Sequence, residues 1–196
     1  MSVDDVPLRF LVRAYHGTSR AAADKVVADG RFGHGSGDRF GMGTYFFEEN
    51  AERAWNWARM RHGTDAAVVV AQLDLTDGGL DLTQKAGREL VLGVLGAVDV
   101  EEIQRRANER DRAGFVDAVA LELLDPNGEI QWIRVLVFDT GREYDRAEPG
   151  PATITLTPDL RQRDLRSRIV RNVQCHLVVR GPGVITTLRR LEEQSS

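Results

Sequence analysis

The run Ala66-Ala67-Val68-Val69-Val70-Ala71 leaves this chain the least freedom in how it folds. Apolar and β-branched residues in unbroken succession read as a strand buried on both faces, and Gln72-Leu73-Asp74-Leu75 continues it with the alternation of a half-exposed one. Such a strand must be covered on both sides. The other strand signals are Leu8–Tyr15, Thr44–Glu48 and Glu129–Phe138, with short segments near 152–157, 168–173 and 175–180. Helices are expected from Ser19 as cap to Asp29, from Asn50 as cap to His62, and over much of 83–124. Gly30 and Gly63 stop the first two, and a short last helix is expected after Gly181-Pro182-Gly183. On the first helix Val26 and Val27 are expected to face inward; on the second, Ala54, Trp57 and Ala58 share a face. Strands do not alternate strictly with helices, so the fold class is α+β with mainly antiparallel pairing.

One domain is expected for 196 residues, spanning 1–196 with a helical insertion at about 83–124. A chain of this length buries enough surface to need no disulfide or metal staple. Its single cysteine, Cys175, excludes an internal disulfide and a four-cysteine zinc site. Lys+Arg number 26 against 30 Asp+Glu, a net charge of −4, which denies the chain a global basic field for nucleic acid. The one basic run, Arg161 to Arg171, reads first as a solvated face. No stretch of 18 apolar residues and no signal pattern is present, so a cytoplasmic location is expected, or delivery into a target cell by a route the sequence does not show.

The familiar chemical motifs fail. Residues 31–43 carry Gly33, Gly35, Gly37, Gly41 and Gly43, a loop that must turn sharply or approach something closely. It forms neither a dinucleotide fingerprint nor a Walker loop. His16, His34, His62 and Cys175-His176 lack metal-ligand spacing, so no metal is expected, and no G-x-S-x-G elbow is present.

Two segments remain: Tyr15-His16-Gly17-Thr18-Ser19 and Gly41-Met42-Gly43-Thr44-Tyr45-Phe46, with 29 positions from His16 to Tyr45. Together they resemble the ADP-ribosyltransferase superfamily, in its diphtheria-toxin-like and poly(ADP-ribose) polymerase-like branch, over residues 9–62. The resemblance implies a split, curved, mainly antiparallel sheet with helices outside and NAD, as substrate, in the cleft. It implies that His16 donates a hydrogen bond to the adenosine ribose and that Gly17 offers its backbone to the nicotinamide carboxamide, with Thr18 beside them. Glycine suits that role because a side chain would block close approach. Tyr45 would stack on nicotinamide. Trp57 would close the other face if one residue is inserted relative to the family, and Asn56 falls there if none is. A core role for Trp57 is the competing reading.

The family's third element is a glutamate opening a late strand, where a carboxylate stabilises positive charge developing on the sugar. Here Ser167 stands in that place in Ser167–Cys175, with Asp164 just upstream as the substitute. The resemblance therefore implies mono-ADP-ribosylation, with nicotinamide released, of an unknown protein or nucleic-acid acceptor. A toxin or effector of this kind would take an immunity or regulatory protein as partner, and no membrane. Two alternatives stay open: a non-catalytic NAD- or ADP-ribose-binding regulatory module, and an NAD-using, RNA-modifying phosphotransferase.

Overall fold

Strand β1 (Leu11–Ser19) and strand β3 (Ala66–Asp74) run antiparallel in unbroken register, from Leu11 opposite Asp74 to Ser19 opposite Ala66. The computed structural model describes residues 9–33, 42–97, 101, 105, 121–138 and 173–192. Around the central pair lie β2 (Thr44–Glu48), β4 (Gly79–Asp81), β5 (Trp132–Phe138), β6 (Val173–Val179) and β7 (Ile185–Leu191). They form one open seven-stranded sheet in the order β4-β5-β6-β2-β1-β3-β7. All pairings are antiparallel except β4 with β5. The class is α+β, as the mixed pattern of strands and helices implied.

Helix α1 (Arg20–Asp29) begins where Ser19 Oγ accepts from Ala22 N at 3.3 Å and ends at Gly30, whose φ of 65° is left-handed. Helix α2 (Ala51–His62) begins where Asn50 Oδ1 accepts from Arg53 N at 3.0 Å, and Gly63 closes it at φ 56°. Both caps are the short polar residues that satisfy the first free N–H groups of a helix. The valine run of β3 is covered on both faces. Ala67 and Val69 pack with Ala23 and Val26 of α1, while Val68 and Val70 turn the other way and are also buried. Val26 is buried, but Val27, expected inward, is 39% exposed, because one side of α1 meets the sheet. The rest of the core lies on the two sheet faces. Val12, Phe46, Leu73, Trp132 and Leu177 gather on one, and Leu80, Val91, Ile133, Val135 and Val178 on the other.

Helix α3 (Lys85–Ala97) occupies the first part of the expected helical insertion, and residues 121–124 are helical too. Most of the stretch between them, and the strands expected near 152–157 and 168–173 apart from Val173, lie outside the described residues. Val173 instead opens β6, which runs unbroken to Val179 across the break expected at residue 174. Two local expectations are corrected. The segment after Gly183 is strand β7, not a helix. Its β-branched Ile-Thr-Thr start extends the sheet beyond β3, which would otherwise be an edge, and only the 3-10 turn Pro182–Val184 precedes it. The tripeptide β4 was not foreseen; three residues carry no periodicity to read.

Candidate functional site

β1 meets β2 at only two positions, Ala14 opposite Glu48 and Tyr15 opposite Phe47. At that end the pair is locked: Glu49 N donates to Arg13 O at 3.0 Å, and Arg13 N donates to Glu49 Oε1 at 3.2 Å. Toward Ser19 the strands part, each held by its outer neighbour. β1 stays on β3 to Ser19, and β2 stays on β6 from Phe47–His176 to Thr44–Val179. The sheet is thus split over one end of its centre. The Tyr-His-Gly-Thr-Ser segment lies within β1, which runs on to Ser19 where the sequence signal ended at Tyr15, because its pairing with β3 continues to Ser19 opposite Ala66.

Main-chain polar groups alternate sides along a strand. Phe10 O accepts from Leu75 N, on the β3 side, and Arg13 O accepts from Glu49 N, on the β2 side. The odd-numbered residues therefore direct N–H and C=O toward β2, and those of Gly17 face the open part of the split. The glycine itself has a second cause. A Cβ at residue 17 would stand 2.3 Å from Ala54 O and 3.2 Å from Ala58 N. The close approach that glycine permits here is that of helix α2, whereas the sequence suggested a ligand.

His16 bridges the split. Its Nδ1 lies 2.8 Å from Tyr45 O, and its ring is half-buried between Phe32 at 5.1 Å and Phe46 at 5.8 Å, both edge-on. Burial lowers its pKa below 6.5; the Tyr45 hydrogen bond opposes that shift, and nearby His62 adds to it. A carbonyl oxygen only accepts, so Nδ1 carries the proton and Nε2 of the neutral ring presents a lone pair. His16 is thereby an acceptor toward any ligand hydroxyl, which reverses the donor role the resemblance implied.

Tyr45 contributes its carbonyl to this contact. Its ring lies on the opposite sheet face, half-buried against the cluster of Ile133 and Val178, with Val178 as its cross-strand partner. Thr18 is half-buried opposite Ala67. Trp57 is half-buried on α2 with the Arg61 guanidinium 4.8 Å from its ring, so it is not a core residue. Ser167 and Asp164 lie outside the described residues.

Sequence reasoning missed a charged cluster beside the locked end. Arg134 forks onto Glu48, Nη2 to Oε1 at 2.6 Å and Nε to Oε2 at 2.8 Å, and reaches Asp81 Oδ2 at 3.3 Å. These side chains are 10–21% exposed, and the fork holds Arg134 more firmly protonated than usual. Burial and a hydrogen bond to Glu48 push the Cys175 thiol up to about 12. The cluster ties β2, β4, β5 and β6 together and commits Glu48 to structure.

Among the described residues no group of three His, Cys, Asp or Glu side chains is placed to hold a metal ion, and no helix is long and apolar enough to cross a membrane. Comparison with protein-family models, with curated proteins and with solved structures finds no match to this chain.

Proposed function

We propose that this chain has the ADP-ribosyltransferase fold and transfers one ADP-ribose from NAD to a macromolecular acceptor, releasing nicotinamide. The observation that carries the reading is the split between β1 and β2, with His16 bridging it and the main chain of Gly17 facing it. An amide-bearing ring suits that edge: Gly17 N–H donates to the carboxamide oxygen, and Gly17 C=O accepts from the carboxamide nitrogen. His16 Nε2 accepts from a ribose hydroxyl. Tyr45 and Trp57 are the aromatic residues assigned to the nicotinamide ring. In the reaction the bond from ribose C1′ to the pyridinium nitrogen breaks, its electron pair leaves with nicotinamide, and an acceptor nucleophile bonds to C1′ and sheds its proton. Positive charge grows on the sugar meanwhile, and Ser167 or Asp164 is the group assigned to face it.

The test is nicotinamide release from NAD by wild type, His16→Ala and Tyr45→Ala. Wild type should release nicotinamide, and loss of the His16 hydrogen bond, worth roughly 0.5–1.5 kcal/mol, should weaken NAD binding by about two- to tenfold. Binding without release identifies a regulatory module; neither binding nor release overturns the reading.

A further inference from the structure

The sheet ends differently at its two edges. β4, at one of them, has three residues, and an edge that short offers little template to another chain. β7, at the other, has seven residues and no proline. Its one irregularity is the register shift beside Gln72 and Leu73, where Thr186 Oγ1 donates to Gln72 O at 3.0 Å. From Thr187 to Leu191 the pairing with β3 is regular, and no strand lies beyond β7 among the described residues.

The register fixes which main-chain groups this edge leaves open. Leu75 N donates to Phe10 O, so odd-numbered residues of β3 turn their polar groups to β1 and even-numbered ones turn theirs to β7. Val68, Val70 and Gln72 therefore bond with Leu191, Arg189 and Thr187, and Leu188 and Arg190 turn N–H and C=O outward. The side chains divide by face. Leu188 is half-buried against the core on the α1 side, where Arg190 donates to Asp24 Oδ1 at 2.8 Å. Arg189 lies on the opposite face, exposed, with no side-chain hydrogen bond, ion pair or ring contact among the described residues. Opposite charges directly across a strand pair attract, so the open edge favours a neighbour with carboxylates on that face.

We propose that β7 receives an extended acidic segment of a partner protein as an added antiparallel strand. The segment's main chain exchanges hydrogen bonds with Leu188 and Arg190, an apolar side chain rests beside Leu188, and a carboxylate pairs with Arg189. A second copy of β7 is the poorer occupant. Pairing centred on Arg189 or Arg190 sets guanidinium against guanidinium, and pairing centred on Leu188 sets Arg189 opposite Thr187 and leaves its charge unmet. The surface uses none of the residues assigned to NAD and is independent of that reading.

Nitrogen-15 NMR of the full chain, titrated with a capped heptapeptide of alternating glutamate and valine and with its lysine–valine counterpart, tests this. The Leu188 and Arg190 amides should shift saturably with the glutamate peptide. Arg189→Glu, at an exposed position, should weaken the glutamate peptide about fivefold and strengthen the lysine peptide in the same measure. N-methylation of the valines, whose N–H groups face β7 in this register, should abolish binding, and N-methylation of the glutamates should not; attraction between charges alone is indifferent to that choice. Charge on an edge strand can also serve only to repel other strands, and then both peptides stay unbound. Leu188 and Arg190 amides that do not move at millimolar glutamate peptide, a valine-methylated peptide that still binds, or Arg189→Glu that binds both peptides as wild type does, overturns the proposal. So does sedimentation of the chain alone as a dimer that Arg190→Pro dissociates, which would make a second copy the occupant.

Discussion

Adding one methyl group at residue 17 separates two explanations of the same glycine. In Gly17→Ala the new carbon would stand 2.3 Å from Ala54 O, where real contacts do not fall below about 3.0 Å. The obstacle is helix backbone, not the tip of a flexible side chain, so α2 must retreat by something near an ångström. Ala54, Ala58 and Val68, which line this contact, are fully buried, and the retreat opens space between them. Overpacking of this kind costs about 1–3 kcal/mol. At roughly 2–4 °C per kcal/mol for a chain of this size, the melting temperature should fall by roughly 2–12 °C. The assay is a thermal melt followed by far-ultraviolet circular dichroism, with Gly93→Ala as control. Gly93 lies in α3 with nothing within 4 Å of its absent Cβ, so there alanine should raise the melting temperature. Should Gly17→Ala melt with wild type and lose only NAD binding, the glycine serves the ligand, and the packing argument is refuted.

Three further outcomes follow from the electrostatics. His16 has its pKa lowered in the folded chain, so the unfolded chain binds the extra proton first; its contribution to stability is intact above about pH 6.5 and is lost as the pH falls below that. Urea unfolding at pH 7.5 and pH 5 should show wild type losing more stability than His16→Asn; equal losses contradict the assignment. Arg134→Ala leaves Glu48 and Asp81 enclosed without their cation and should cost about 2–4 kcal/mol, with partial recovery on adding Glu48→Gln; an unchanged urea midpoint would show that the network is inert. The Cys175 thiol, pushed up to about 12, should resist alkylation at pH 8 in the folded protein and react promptly in denaturant, whereas rapid labelling of the native chain would contradict its burial.

Local signals were legible in the sequence, and contacts between distant segments were not. Ser19 and Asn50 announced their helices because a cap is read within four residues, and Gly30 and Gly63 closed them for the same reason. The valine run of β3 announced its two covered faces by composition alone. Strand β7 hid behind Arg189 and Arg190, whose charge masks a strand that exists because β3 offers it an edge. The fork of Arg134 onto Glu48 joins residues 86 apart, and only the register of β2, β6 and β5 brings them together. At the candidate site, His16, Gly17 and Tyr45 stood out by motif, and the structure brings their backbones and the imidazole to one split. What each group presents there depended on geometry the motif does not carry: the proton on Nδ1, the helix under Gly17, and the sheet face that holds the Tyr45 ring.

The most direct measurement follows the backbone amide of Gly17 by nitrogen-15 NMR while NAD is added to the full chain. With nicotinamide seated on the split, the Gly17 amide should shift strongly and saturably, together with those of His16 and Tyr45, while Gly93 on α3 stays in place. A Gly17 resonance that does not move at millimolar NAD, in a chain whose spectrum is otherwise that of the folded protein, would contradict the account.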